Sequence, residues 1–480
     1  MTRRILYIIF LVFLLADVSY SFKQHYSQPL DGDMAGGIVP ANDVKPVLND
    51  PFGTGAFLKH KKYPNPNRFF SHWLFKEYFN TIPLLLQKFT DPVNSIYLSC
   101  AIAKTAIQVA LIILLCIAVT GSVKLLSFDF LLVAVLITPL FQTNGYQGYM
   151  GIIDISVTYT FFYALPFVFL LLYLLPFVNR LYFNKRLPVQ LFIKIFWVPL
   201  ALVVCLSGPL NPGVVLVFSG IILYLNIRMN YLKLDNKYAV KRWINAILLT
   251  PKGHWFFLLP ISLISLYSLY LGRYNSINIV SRIPLTELYL RLPEGIYYQF
   301  TQKLGFPVLF TMLILNSVII YRYYRTTEGE KILNVFKWIG IFTLLYILLL
   351  PLGGYRSYRP YVLRYDTIMP VTLSLMFVFG TTSFFLLKNM KKNHRFWYSI
   401  IIGCVLLIYT NADEAKFDKN KHEKLALKAI SVSKDSIVEL QDDCNVLSWD
   451  RISKPDDSEL NAQLLTIWKV TQKKRLYYNK

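Results

Sequence analysis

Residues 99–121 read SCAIAKTAIQVALIILLCIAVTG, a run in which Lys104 is the one charged side chain. The hydrocarbon core of a bilayer is about 30 Å thick and an α-helix rises about 1.5 Å per residue, so about 20 predominantly apolar residues make one crossing. Residues 99–121 satisfy that length. Outward from this run, comparable stretches lie near 5–22, 126–142, 157–178, 189–207, 213–227, 254–271, 306–322, 335–350, 367–387 and 396–410, which predicts eleven spans. Composition agrees: the 480 residues are 55% hydrophobic and 16% charged, against roughly 25% charged in soluble proteins. The mean hydropathy of +0.43 points the same way. A disordered chain, a secreted disulfide scaffold and a nucleic-acid-binding domain are thereby excluded as readings of the whole. Of the five cysteines, Cys100, Cys116, Cys205 and Cys404 fall in apolar runs and are expected to be buried, while Cys444 stands alone.

The net charge of +23 is unevenly placed. Residues 1–410 carry 37 basic and 15 acidic side chains, and residues 411–480 carry 13 and 12. Lysine and arginine in short loops set membrane orientation, so this excess belongs to topology and no nucleic-acid partner is expected. Arg3 and Arg4, Lys124, Arg180 to Arg186, Arg228 to Lys252, Arg322 to Lys337, and Lys388 to Arg395 occupy alternate loops. They assign one side as the cytoplasm, with the amino terminus inside and the carboxyl terminus outside. Arg3-Arg4 before a short apolar run also fits a signal peptide, but no clear small-x-small cleavage site follows Ala16, which favours a retained span.

The expected fold is an all-α polytopic membrane bundle of about eleven transmembrane helices over residues 1–410, with a small external α+β tail over 411–480. The first external loop, 23–98, is Gly- and Pro-rich from Gln28 to Gly53, which predicts turns rather than regular helix. Its second half, His72 to Phe79 and Ile82 to Phe89, reads as interfacial helices on the membrane surface. In the tail, Lys424 to Val432 and Asn461 to Thr471 read as helices, and Ser436 to Leu440 and Asn445 to Trp449 as strands.

No P-loop, HExxH, GxSxG or CxxC motif occurs, so chemistry must come from polar exceptions to the membrane pattern. Asp31 and Asp33 flank one glycine, which lets two carboxylates approach one cation or one incoming hydroxyl. A solvated acidic turn is the plainer reading of the same residues. The loop from Pro351 to Asp366 holds Arg356, Arg359 and Arg364 interleaved with Tyr355 and Tyr358 on the side where cations are disfavoured. Guanidinium groups bind phosphate bidentately, and the tyrosines suit lipid or sugar; contact with lipid headgroups is the plainer alternative. The polar stretch Gln142 to Asp154, with Gln147 and Asp154, could line a cavity at the same surface. Lys104, Lys194 and Asp129 are expected to snorkel to the interface. The scarcity of intramembrane carboxylates weighs against an ion-coupled carrier.

Many spans, an acidic pair soon after the first one, an amphipathic stretch at 71–89 and an external arginine loop together resemble the GT-C superfamily of membrane glycosyltransferases. The resemblance covers the topology of residues 1–410. It implies transfer of a sugar from a polyprenyl-phosphate or polyprenyl-diphosphate donor to a glycan, lipid or protein acceptor on the outer face of the membrane. It implies Asp31 or Asp33 as general base and Arg356, Arg359 and Arg364 as phosphate ligands, with Tyr355, Tyr358, Asp154 and Gln147 lining the substrate site. A divalent cation, Mg or Mn, is an optional cofactor in this reading. The Lys/Ile/Tyr/Asn-rich composition fits a bacterial inner membrane. A flippase or exporter of lipid-linked saccharides, or a non-enzymatic envelope-assembly protein, is the competing expectation.

Overall fold

The computed structural model describes residues 3–141, 151–183, 191–234, 238–279, 283–301, 304–353, 359, 361–412, 417–441 and 444–480. Among them, eight helices are long and apolar enough to cross a membrane: Arg3–Tyr26, Pro92–Thr120, Val157–Arg180, Leu210–Lys233, Lys252–Gly272, Gly305–Tyr323, Thr327–Gly353 and Met369–Asn389. Of the eleven expected spans, these eight meet the length and composition of a crossing among the described residues. Phe128–Phe141 and Ile195–Cys205 are shorter apolar helices, and Lys392–Asn411 opens with Lys392, His394 and Arg395.

Local chemistry sets the helix ends. Pro92 opens its helix with the missing donor that a first turn does not need, and Asp91 caps it by accepting from the Asn94 backbone N–H. Gly121 ends the same helix at φ +65°, and a Cβ there would sit 2.9 Å from the Phe183 ring.

Contacts at the helix ends sort the connections onto two faces. On one, Lys388 Nζ lies 2.8 Å from Asp129 Oδ2, Arg3 covers Phe128 and Lys331 covers Tyr182. On the other, Phe70 N–H donates to Leu206 O, Tyr409 Oη donates to Gly305 O and Asn420 N–H donates to Ser27 O. Successive long helices therefore run up and down, and the lysine- and arginine-rich connections share the first face. The first helix shows membrane logic: Asp17, Ser21, Gln24 and His25 are buried, while Ile8, Val12 and Leu15 are exposed. His25 Nε2 pairs with Gln108 Oε1 at 3.1 Å, and Gln108 reaches Ser21.

The first loop is more helical than its Gly and Pro content predicts. Short helices form at Met34–Ile38, Lys45–Leu48 and Thr54–Lys59, the last bounded by left-handed Gly53 and His60. The amphipathic stretch is one helix, Phe69–Leu86, whose Ser71, His72, Phe75, Phe79 and Pro83 face protein. Cys404 is exposed rather than buried, because only Tyr398, Ile402, Val405 and Tyr409 of its helix face inward.

The tail packs onto this loop and shares its core: Leu30, Met34, Phe75, Phe79 and Ile96 form one apolar cluster with Leu427, Leu464, Trp468 and Tyr477. Trp468 Nε1 donates to Phe79 O at 2.9 Å. Strand β1, Ile437–Leu440, pairs in parallel with β2, Leu476–Asn479. Asn445 to Trp449 is not the second strand: Leu447 has φ +49°, which interrupts an extended chain, and Val446 and Leu447 are both buried where a strand would alternate.

Glu423 pins the tail to the loop, accepting from Leu30 N–H at 2.9 Å, Tyr97 Oη at 2.8 Å and Leu447 N–H at 3.4 Å. Burial pushes its carboxyl up to about 7 despite these donors. A raised acid binds its proton more tightly when folded. That contribution is fully present below the unfolded value near 4.5 and is lost as pH rises through about 7. The tail in the full chain is accordingly expected to unfold at a lower temperature at pH 8 than at pH 5. Glu423→Gln should flatten that difference, and a pH-independent wild type would refute the linkage.

Candidate functional site

The site is built where the acidic turn meets the segment that starts the helix Val157–Arg180. Asp31 is 5% exposed. Its Oδ2 accepts from Ser156 Oγ at 2.8 Å and Thr158 N–H at 3.1 Å, and its Oδ1 from Thr158 Oγ1 at 2.7 Å. Burial raises the Asp31 carboxyl above its ordinary range, opposed by these donors. Asp33 is exposed; its N–H donates to Asp31 Oδ1 at 3.2 Å. The two carboxylates of the Asp-Gly-Asp turn thus have opposite surroundings. One is locked into protein and one is open to solvent.

Asp154 is buried and accepts from Ser156 N–H at 2.8 Å, and burial pushes it up to about 6. Ser156 caps the following helix through Tyr159 N–H. Five residues, Thr160–Ala164, then form a π-turn, a wide turn that recurs at functional sites. Lys104, expected to snorkel, is 1% exposed and turns inward to donate to Ile155 O at 2.7 Å. An ammonium in this place finds a carbonyl and the nearby Asp154 and Asp31 charges instead of water.

The arginine loop reaches the same place. Arg359 Nη2 donates to Tyr159 Oη at 3.2 Å, with the guanidinium 5.6 Å from the Tyr159 ring. Arg364 forms a two-point pair with Asp366, Nε to Oδ1 at 3.0 Å and Nη2 to Oδ2 at 2.8 Å. The tail closes one side: the Trp449 ring lies 5.9 Å from Tyr159, and a Cβ on Gly32 would meet Trp449 N at 2.5 Å. Glycine is required there by close approach.

Comparison with protein-family models, curated proteins and solved structures finds no match to this chain.

The site therefore rests on its own geometry. Of the residues singled out from sequence, Asp31, Asp33, Asp154, Arg359 and Arg364 are gathered on one face of the bundle, while Gln147, Tyr355, Arg356 and Tyr358 lie outside the described residues. Sequence reasoning missed Ser156, Thr158, Tyr159 and Trp449. Asp154-x-Ser156 before an apolar run is a capping pattern that could have flagged the first two; nothing local marks Trp449. Among the described residues no three His, Cys, Asp or Glu side chains cluster closely enough to hold a metal.

Proposed function

We propose that this protein is a GT-C-type membrane glycosyltransferase that uses a polyprenyl-phosphate or polyprenyl-diphosphate sugar donor. In this reading eleven helices cross a bacterial inner membrane, with the amino terminus in the cytoplasm and the acidic turn, arginine loop and tail outside. One observation carries the reading: Asp31, two residues from the exposed Asp33, is hydrogen-bonded to Ser156 and Thr158, next to Tyr159, whose hydroxyl accepts from the Arg359 guanidinium. Asp33 accepts the proton of the acceptor hydroxyl as its oxygen attacks the anomeric carbon. The bond from that carbon to the phosphate oxygen breaks, the electron pair leaves with the phosphate, and the configuration inverts. Arg359 meets the charge growing on the leaving phosphate. Asp31 is a positioning residue that holds residues 156–158, and Arg364 shapes the loop through Asp366. Tyr159 and Trp449 offer aromatic faces to a sugar.

The test is release of polyprenyl phosphate by the full chain in vesicles, with a panel of polyprenyl-phosphate hexoses and pentoses offered with membrane lipid and envelope glycan acceptors. Turnover by wild type and its loss in Asp33→Asn and Arg359→Ala support the assignment; no turnover with any donor, or turnover unchanged in both variants, rejects it.

A second reading, an exporter of lipid-linked saccharides, is favoured by the buried polar row Asp17, Ser21, Gln24 and His25 on the first helix. It requires movement of a labelled lipid-linked saccharide across vesicles without bond cleavage.

A further inference from the structure

A cavity of about 530 Å³ opens between the helices Pro92–Thr120, Val157–Arg180, Leu210–Lys233, Thr327–Gly353 and Met369–Asn389. Its walls are aliphatic and aromatic along most of their length, with Leu174, Phe218 and Trp338 among them. At one end the lining turns basic. Arg180, in the last turn of Leu165–Phe183, and Lys331, near the start of Thr327–Leu349, both line it there. These helix ends belong to the face opposite the candidate site. His254 lines the same end, is 1% exposed, and has no hydrogen-bond partner for Nδ1 among the described residues. Among the described residues no aspartate or glutamate lines this cavity; Glu328 lines a neighbouring one that shares Tyr182.

An apolar chamber of this size is a poor place for water, and two cations at the mouth of a chamber without a carboxylate are costly unless an anion meets them. We propose that the cavity holds one hydrocarbon chain of an anionic phospholipid from the leaflet on that face, with its phosphate bound by Arg180 and Lys331 and the His254 ring as a further donor. Guanidinium and ammonium groups both suit phosphate, and the wall below them suits an acyl chain. The inference stands apart from the chemistry on the opposite face, whatever that face does.

Native mass spectrometry of the full chain released from detergent, after incubation with phosphatidylglycerol or phosphatidylcholine, tests it. Wild type is expected to retain one phosphatidylglycerol per chain with a preference of about tenfold over phosphatidylcholine. The double variant Arg180→Gln/Lys331→Gln should lose that preference, Leu174→Trp should lose retention of both lipids by filling the chamber, and Lys337→Gln, outside the cavity, should behave as wild type. If the double variant does not elute as a folded species, Lys331→Gln alone is read for the same loss of preference. Equal retention of the two lipids by wild type, or an undiminished preference in the mouth variants, overturns the proposal.

Discussion

Asp33→Asn is expected to lower the rate of sugar transfer by about 100- to 10,000-fold, the range for removing a general base, with little change in thermal stability. Asp33 is exposed and its carboxylate oxygens anchor none of the hydrogen bonds that hold the turn, so an amide of the same shape fits without rearrangement. The loss should fall on kcat, because the carboxylate acts as the acceptor hydroxyl gives up its proton. Arg359→Ala is expected to cost about 100- to 1,000-fold, as for removal of one donor to a developing negative charge. Phosphate release from a labelled donor, measured beside thermal unfolding of the same preparations, checks both. Unchanged kcat in Asp33→Asn would remove the base from the mechanism.

Asp31→Ala is expected to behave differently from its neighbour two positions on. It removes the acceptor for Ser156 Oγ, Thr158 Oγ1 and the buried Thr158 N–H. A buried donor without an acceptor costs about 1–3 kcal/mol, and hydroxyls can turn to other acceptors, so the loss is roughly 1–3 kcal/mol in total. Activity should fall together with stability, since residues 156–158 carry Tyr159 into the site. A variant that lost activity at wild-type stability would make Asp31 the reacting group and Asp33 the bystander.

The contrast shows what one sequence reveals and what it withholds. The long helices were legible because a bilayer demands about 20 apolar residues per crossing, a pattern local to each segment. Charge alternation between loops was legible for the same reason. The helix Phe69–Leu86 is legible as amphipathic, but the partners of its buried face, Ile96, Leu464 and Trp468, come from distant parts of the chain. Lys104 illustrates the limit most clearly. Its position in an apolar run marked it as unusual, yet whether it snorkels or turns inward depends on the carbonyl of Ile155, 51 residues away. The acidic pair was visible as a pair, but the division between a locked Asp31 and an open Asp33 follows from Ser156 and Thr158, which no local pattern joins to the turn. Trp449 closes on Gly32 across more than 400 residues, and a left-handed Leu447 turned an expected strand into the loop that carries it.

In the proposed function the acidic turn and the arginine loop share one substrate site on one side of the membrane. Asp33→Cys and Arg359→Cys, each introduced into the full chain with Cys404→Ser and Cys444→Ser so that it is the one accessible thiol among the described residues, can be labelled in intact membrane vesicles of known orientation with a membrane-impermeant maleimide. Both are expected to react from the same side, and a polyprenyl-phosphate sugar should slow both reactions together. Labelling from opposite sides, or protection of one position with the other untouched, would contradict the account.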